Sequence, residues 1–277
     1  MNEPIGVMAR AAVAGVALAA AVASSPAVAG SEEPFKQTNI HFETNASACD
    51  MGIQMSFDTD GITTGEVENP YGQVVFSIGA VAGMESTNDL TEMFHERVEP
   101  PITDLIAALG CERDEGEPIS LADLFGAWPA GWYEFDGESG GTEFEGKARL
   151  SHRIPAGPEI LRPEDGAIVP HDQHLLIRWR KVTGPLLPYL GPVTIVGYHV
   201  VVADVTSATL APGQTKTVFD ADLSAGESSM LVPKQFLEPG RIYEFEVLAT
   251  EKGGNQTITE GGTFCTPPIA AGDCEAP

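Results

Sequence analysis

The sequence predicts an all-β protein with two consecutive antiparallel β-sandwich domains, the first of which carries a short helical insertion. Three observations indicate this fold class. Gly and Pro account for 30 and 21 of the 277 residues, well above their usual combined share of about 12%. Apolar and polar residues alternate with period two in several short runs, as in half-buried strands. Turn signals such as Lys252-Gly253-Gly254-Asn255 separate these runs.

Residues 1–29 are predicted to be a signal peptide. An unbroken run of 13 small apolar residues, Ala11–Ala23, is followed by Ala27-Val28-Ala29, an A-x-A cleavage site. A run of this length is too short to span the ~30 Å hydrocarbon core of a bilayer. We therefore expect export in a bacterial style, cleavage near Ala29, and a secreted or periplasmic mature chain with no transmembrane segment after signal removal.

The charge balance excludes two classes of partner. Acidic residues outnumber basic ones 40 to 15, which gives a formal net charge of −25. Such a chain repels phosphate backbones and anionic lipids. The sequence therefore predicts an acidic protein that binds no nucleic acid and does not dock on membranes through a basic patch.

The four cysteines are expected to form two disulfides, because an even number of cysteines in an oxidising compartment normally pairs. Three connectivities are possible. The local one, Cys49–Cys111 and Cys265–Cys274, is favoured because it keeps each bridge within one predicted domain. A metal site at these cysteines is disfavoured, since the sequence has no C-x-x-C pair and no histidine at zinc spacing beside a cysteine.

A domain boundary is predicted at Ile154–Pro158, where two prolines and a glycine fall within five residues. This boundary gives a first sandwich domain at residues 35–153 and a second at residues 157–268. The remaining tail, residues 269–277, is expected to lie along the surface, pinned by the second disulfide.

The first domain combines strand and helix patterns. Alternation is found in four runs, Ile40–Glu43, Ile53–Phe57, Val74–Ile78 and Phe144–Leu150. Between them, apolar residues recur at helical spacing after Pro100-Pro101, at Ile102, Leu105, Ile106 and Leu109. A second helical turn is expected at Ser120–Phe125, capped by Ser120. These patterns predict a sandwich with a short helical insertion.

The second domain carries three strand patterns with a large aromatic residue in each. In His174–Arg180 side chains alternate between the two faces of a strand, which directs Trp179 inward. The segments that begin at Tyr198 and at Tyr243 show the same alternation. Buried aromatic residues each cover ~150–250 Å² and supply much of the stability of a small sandwich. We therefore expect Trp179, Tyr198 and Tyr243 to be structural core residues.

The second domain resembles a fibronectin type III domain. The segment Leu237–Tyr243, which contains Pro239-Gly240, looks like the L-x-P-G-x-x-Y corner of that family. Trp179 and Tyr198 stand where the family has its strand B tryptophan and strand C tyrosine. The resemblance implies an immunoglobulin-like sandwich in which the Tyr243 hydroxyl bonds back to the backbone. A departure from the family is the longer B–C loop, Thr183–Thr194, which we regard as a candidate contact surface.

The first half resembles uncharacterised exported bacterial proteins, and this resemblance implies no activity. It rests on four short stretches, Asn45–Ser47, Asp50–Gln54, Phe94–Glu96 and Glu99–Pro101.

No catalytic residue and no organic cofactor is predicted. The segment Gly137–Gly141, G-E-S-G-G, resembles the nucleophile loop of chymotrypsin-like proteases, but it lies where a hairpin turn is expected. Calcium is the one ion considered. Four residues around the first loop offer the hard oxygen ligands that calcium prefers, and they are Glu43, Asn45, Asp50 and Asp58. The alternative is that a domain this acidic places a carboxylate in nearly every loop.

These observations predict an exported, non-enzymatic β-sandwich protein that binds a protein or glycan in the cell envelope or outside the cell. One alternative is an extracytoplasmic hydrolase whose catalytic carboxylates meet only in the folded chain. Another is a carbohydrate-binding module in which Trp128, Trp132 and Tyr133 form a stacking platform. The competing interpretation of these three residues is that they pack in the core.

Overall fold

The computed structural model of the chain describes residues 31–79, 89–111, 116–207 and 216–275. The predicted signal peptide, residues 1–29, lies outside the described residues. In the first half the strands are β1 Glu32–Pro34, β2 Gln37–Asn45, β3 Asp50–Ile62, β4 Thr64–Glu68, β5 Val74–Gly79, β6 Leu90–Glu96, β7 Gly131–Ser139 and β8 Thr142–Leu150, and the helices are α1 Thr103–Leu109 and α2 Leu121–Ala127. In the second half they are β9 Glu159–Arg162, β10 Ala167–Ile168, β11 Leu175–Arg180, β12 Ile195–Asp204, β13 Val218–Ser224, β14 Ser229–Val232, β15 Ile242–Glu251 and β16 Gln256–Cys265.

The strands form three sheets. A central sheet has the order β13-β12-β15-β16-β2-β3-β6, with β10 paired to β16. A five-stranded sheet, β1-β8-β7-β4-β5, lies over the first half, and a three-stranded sheet, β14-β11-β9, lies over the second half. The predicted all-β class with a short helical insertion is confirmed.

The first core fills the space between the five-stranded sheet and strands β2, β3 and β6. Period-two alternation explains it, because Ile40 and Phe42 point inward while Glu43 points outward on the same strand. Phe35 lies at the centre and makes edge contacts with Phe57, its ring centroid 5.3 Å away. Helices α1 and α2 close one side of this core with a few buried leucines, Leu105, Leu121 and Leu124.

The second core lies between the three-stranded sheet and strands β13, β12, β15 and β16. Trp179, Tyr198 and Tyr243 are all buried in it, where the sequence places them. The hydroxyl of Tyr243 accepts from the Glu238 N–H at 2.8 Å and donates to the Phe236 carbonyl at 3.4 Å. This is the corner that the resemblance implies, and three strands facing four give the fibronectin-like arrangement.

Tyr243→Phe is expected to lower the free energy of unfolding by about 1–2 kcal/mol, because the Glu238 N–H loses its acceptor while the ring stays in place. Urea melts of the full chain measure the effect. Tyr71→Phe is the matched control, since that ring is 75% exposed. Equal midpoints for Tyr243→Phe and the parent chain would show that the corner bond contributes nothing.

The two cores share one sheet, which the sequence did not predict. Strand β16 of the second half pairs in parallel with β2 of the first half, with Gln256 opposite Glu43 and Ile258 opposite Asn45. The Ala46 N–H continues the ladder by donating to the Ile258 carbonyl at 2.9 Å. The two halves are therefore joined by backbone hydrogen bonds as well as by the covalent chain.

The segment Ile154–Pro158 is packed between the two halves and not exposed. Ile154 is fully buried, and the carbonyl of Pro155 accepts from the buried Thr257 hydroxyl at 2.7 Å. The Ala156 N–H donates to the Gly184 carbonyl at 3.0 Å, and the Leu186 N–H donates to the Ile154 carbonyl at 2.9 Å, so the segment is bonded to the long loop that follows β11. The division into domains at 35–153 and 157–268 stays a prediction.

The long loop Thr183–Thr194 packs on the first core. Leu187 is buried within that core, and Leu186 and Leu190 lie against it. The loop was predicted as a candidate contact surface, but its three leucines pack inside the chain, while Tyr189 is 66% exposed.

Both disulfides are present in the local pairing. Cys49 is bonded to Cys111, and Cys265 to Cys274. The first bridge ties the loop after β2 to the end of α1. The second holds the C-terminal tail, whose Cys274 carbonyl also accepts from the Thr263 hydroxyl at 2.9 Å.

Candidate functional site

Two candidate sites are formed by the described residues, a carboxylate cluster on the central sheet and a cleft beside Trp132. The carboxylate cluster consists of Glu43, Glu96 and Glu99, whose nearest oxygens all lie within 4.8 Å of one another. Glu43 sits at its centre on β2, on the face turned away from the first core. Its two carboxylate oxygens accept from the side-chain amides of Gln54 and Gln256.

Glu99 reaches the cluster because Gly52 leaves room for it. A Cβ atom on Gly52 would lie 2.6 Å from the Glu99 Cγ atom, closer than carbon atoms approach without repulsion. Gly52 lies opposite Glu43 on the β2–β3 ladder. The chain after β6 therefore folds Glu99 back over the sheet, directly beside Glu43.

Burial and repulsion between the neighbouring carboxylates raise the pKa values of Glu99 and Glu43. Burial, together with the smaller effect of the charges of Asp50, Glu43 and Glu96, raises the pKa of Glu99 to about 8. Burial also raises the pKa of Glu43, while the amides of Gln54 and Gln256 oppose that rise. The Glu99 Oε1 atom is buried and accepts no hydrogen bond from the described residues. At neutral pH Glu99 therefore holds a proton.

Of the four residues predicted to bind calcium, the structure brings only Glu43 into the carboxylate cluster. Asn45 donates to Glu260 at 2.7 Å and accepts from the Ser47 N–H, so it fixes the turn after β2. Asp50 lies at the near end of β3, close enough for its charge to act on Glu99. Asp58 is eight residues further along β3, about 27 Å away, and pairs with Lys36.

Glu96 and Glu99 were missed as site residues. Their approach to Glu43 depends on the β3–β6 register, which places Glu96 opposite Gln54, and on the fold-back over Gly52. Three carboxylates, one of them with a buried oxygen that accepts no hydrogen bond from the described residues, match the hard-oxygen donors that calcium takes. A calcium ion at this cluster stays a prediction.

Glu99→Gln is expected to remove a pH dependence of stability. The unfolded carboxyl loses its proton near its ordinary pKa of 4.5, whereas the folded one keeps it up to about pH 8. The parent chain should therefore lose stability as pH rises from about 5 to 8. After allowance for partial exposure, the loss is on the order of 2–3 kcal/mol. Glutamine binds no titrating proton, so the variant should be the more stable of the two at pH 8.

Urea melts at pH 5, 6.5 and 8 measure this difference, with Glu92→Gln, an exposed glutamate of β6, as the control. If the Glu99→Gln chain lost stability with pH as steeply as its parent, the buried carboxyl would not be the cause. Calcium that binds the carboxylate cluster should raise the parent's midpoint more at pH 8 than at pH 5, because the ion competes with the Glu99 proton.

The second feature is an open cleft of about 770 Å³, here called the Trp132 cleft. One wall is formed by the β7–β8 hairpin and the chain that follows it, from Trp132 to Arg153. The other wall is the β15–β16 turn with Lys252, and β2 forms the floor through Asn39. Both halves of the chain therefore contribute to it. Its volume lies within the ~300–1,000 Å³ usual for ligand sites.

Asn255 holds the two walls of the Trp132 cleft together. This buried side chain lies at the β15–β16 turn. Its amide donates to the Ser151 carbonyl at 2.8 Å, to the Ser151 hydroxyl at 3.1 Å and to the Arg153 carbonyl at 3.0 Å. Its oxygen accepts from the Phe42 N–H at 2.9 Å. Four hydrogen bonds thus fix Arg153 beside the turn that carries Lys252.

The three residues predicted as a stacking platform have separate places. Trp132 is 57% exposed at the cleft. Tyr133 is fully buried, and its hydroxyl donates to the Pro129 carbonyl at 3.1 Å. Trp128 is half-buried against Tyr133, with the Arg97 guanidinium 5.5 Å above its ring. A platform of three rings is therefore wrong, and only Trp132 presents its ring to the cleft.

The Ser139 segment is a hairpin turn. Ser139 pairs with Thr142 at the end of the β7–β8 ladder, and Gly140 and Gly141 have φ angles of 59° and 87°. These left-handed conformations suit glycine. The Ser139 hydroxyl donates to Asp89 at 2.8 Å.

Among the described residues, neither α-helix is long and apolar enough to cross a bilayer.

Comparison with known proteins gives no family assignment. No protein-family profile and no curated protein sequence matches the chain. Among solved structures it is similar to the FN1–FN3 domains of chicken CNTN1 (11% identity, TM-score 0.29, 85% of this chain and 67% of that one). It is also similar to domains of titin (13%, 0.25, 85% and 60%) and to the BSP domain of a biofilm-associated protein (14%, 0.23, 84% and 30%). TM-scores this low establish no common fold, so the fold assignment rests on the strands and cores described above.

Proposed function

We propose that this chain is an exported, non-enzymatic binding protein that acts in the cell envelope or outside the cell. The observation that carries the proposal is the Trp132 cleft, an open site of ligand size with an exposed tryptophan and basic side chains. Exposed Trp and Arg are the residue types that most often dominate binding surfaces. The signal pattern at residues 1–29 and the two disulfides support an oxidising compartment.

A rigid scaffold suits this function, because ordering a mobile site on binding costs free energy. The Trp132 cleft has strands on two of its sides, and Asn255 fixes one wall against the other. A ligand would therefore meet side chains that are already in place.

Export is tested by intact-mass measurement of the secreted protein. The expected mature chain begins at Gly30, and a secreted species that retains residues 1–29 would contradict the assignment of the compartment.

Binding is tested by sedimentation of the labelled mature chain with isolated cell-envelope material and with secreted polymers of the source cells. We expect saturable binding that leaves the bound material chemically unchanged. Trp132→Ala should weaken it, and Phe94→Ala, which removes another exposed ring outside the cleft, should not. Binding that is unaffected by Trp132→Ala would move the site elsewhere.

A hydrolase is the second candidate, favoured by the carboxylate cluster. A carboxyl with a pKa of about 8 beside two further carboxylates has the proton affinity that a general acid needs near neutral pH. Release of new reducing ends from polysaccharides by the parent chain, abolished by Glu99→Gln, would establish the hydrolase and overturn the non-enzymatic proposal.

A further inference from the structure

We propose that the Trp132 cleft binds a carbohydrate that carries carboxylate groups, of the uronic-acid type. This inference rests on the proposed binding function and names the chemical class of its ligand. Charge and one aromatic ring at the cleft carry the argument.

Positive charge is concentrated in the cleft. Its lining contains four of the chain's 15 lysines and arginines, namely Lys147, Arg149, Arg153 and Lys252. Of the 40 acidic residues only Glu251 lines it. The Glu251 side chain is 3% exposed and accepts from the Ser151 hydroxyl at 3.4 Å. A cleft lined by charges of one sign focuses the electric field on its interior. The Trp132 cleft therefore attracts anions although the whole protein is strongly acidic.

Three of the four cations in the cleft have no carboxylate partner among the described residues. Lys147 forms an ion pair with Glu134 at 2.6 Å. Arg149, Arg153 and Lys252 form no ion pair with any residue in the part of the chain that the structure describes. Outside the cleft, Lys36, Arg180 and Arg241 each have a carboxylate partner, but other described cations such as Arg178 and Lys234 have none. What distinguishes the three cleft residues is that they lie together. An anionic ligand is therefore the natural partner of the three unpaired cations.

Trp132 supplies the apolar contact that a sugar ring needs. It lies directly opposite Arg149 on the β7–β8 ladder, where side chains on one face are about 5 Å apart. A pyranose ring has an apolar face that can lie on an indole, and a carboxylate on the ring edge would then reach the neighbouring guanidinium. Arginine binds carboxylates through two parallel hydrogen bonds. One sugar unit thus fits the Trp132–Arg149 pair.

The net charge favours a carboxylated sugar over a denser polyanion. Double-stranded DNA carries one charge per about 1.7 Å of its length, and the acidic surface outside the cleft would repel such a polymer. A polymer with one carboxylate per sugar ring presents its charges further apart. Three cations in one cleft can then bind the carboxylates of successive sugar units, and the part of the polymer outside the cleft carries fewer charges for the acidic surface to repel.

Titration calorimetry and tryptophan fluorescence of the full mature chain test the inference. The probes are an oligogalacturonate, its methyl-esterified neutral form, a sulfated polysaccharide and a DNA oligonucleotide of equal length. We expect the oligogalacturonate to bind, with a blue shift from the exposed Trp132, and the neutral form to bind at least tenfold more weakly. Raising the salt from 50 to 300 mM should weaken binding, since the charges are close to the surface.

Variants of exposed residues locate the binding. Trp132→Ala and Arg149→Gln should each weaken oligogalacturonate binding about tenfold, and Arg153→Gln somewhat less. Arg178→Gln is the matched control, because Arg178 is equally exposed on β11, outside the cleft. The affinity of the Arg178→Gln variant for oligogalacturonate should equal that of the parent chain.

Four results would overturn the inference. Equal binding of neutral and charged oligosaccharides would remove the carboxylate requirement and leave the proposed binding function intact. Preference for the sulfated polymer or for DNA would assign a different anion. If Trp132→Ala and Arg149→Gln left the affinity for oligogalacturonate unchanged, the sugar would bind elsewhere. If none of the four probes bound, the proposed ligand class would be refuted. The envelope-binding assay tests the proposed function separately.

Discussion

Trp179→Ala is expected to lower the free energy of unfolding by about 3–5 kcal/mol, the usual cost of truncating a large core aromatic residue. Trp179 is 1% exposed and lies between the two sheets of the second core, with its ring centroid 5.3 Å from that of Tyr198. Alanine would leave a cavity that surrounding strands cannot close, because both sheets are held by their ladders. The loss arises from packing alone, since the indole N–H has no hydrogen-bond partner among the described residues.

Urea melts of the full chain measure this loss, and Trp132→Ala is the matched control. The same atoms are removed from a side chain that is 57% exposed, so its midpoint should shift little. Trp179→Phe should cost less than alanine, because it refills much of the cavity. An unchanged midpoint for Trp179→Ala would mean that β11 does not face the core.

Asn255→Ala is expected to cost about 3–5 kcal/mol, the second large effect. The side chain is fully buried and makes four hydrogen bonds, to the Phe42 N–H, to Ser151 and to the Arg153 carbonyl. Each buried polar group left without a partner costs about 1–3 kcal/mol. Alanine leaves several such groups at once, in the place where β2, the chain after β8 and the β15–β16 turn meet.

Asn255→Asp tests the donor and acceptor roles of the Asn255 side chain separately. The carboxylate can still accept from the Phe42 N–H, but it cannot donate to Ser151 or Arg153, so we expect destabilisation with loss of the cleft geometry. Gln173→Ala, at an exposed amide, is the control. Melts of the alanine variant that match the parent would show that Asn255 does not fix the two walls of the Trp132 cleft.

Local patterns in the sequence were sufficient to predict strands such as β2, β3, β11 and β15, and the second core. The burial of Trp179 and Tyr243 follows from period-two alternation, and the corner at Tyr243 was implied by the resemblance of Leu237–Tyr243 to the fibronectin type III motif. The local disulfide pairing was favoured because it keeps each bridge within one predicted domain, and the structure has this pairing. Apart from the Cys49–Cys111 bridge, whose cysteines are 62 residues apart, these inferences use residues that are near one another in the chain.

Pairings between distant residues could not be predicted. Asn255 was interpreted only as part of a turn, because its partners Ser151 and Arg153 are 104 and 102 residues away. Glu99 meets Glu43 only through the β3–β6 register and the space above Gly52. The Trp132 cleft likewise needs both halves of the chain. Such contacts depend on which strands become neighbours, and no local pattern records that.

The central claim is that the two cores form one scaffold joined along β2 and β16, because the Trp132 cleft spans that joint. Native-state hydrogen exchange of the Ala46 amide tests it most directly, since this N–H donates to the Ile258 carbonyl across the joint at 2.9 Å. The account predicts that the Ala46 amide exchanges only with global unfolding, at the same free energy as amides inside the cores such as Val200. Exchange of Ala46 that is much faster than that of Val200 would show that the joint opens by itself and would contradict the account.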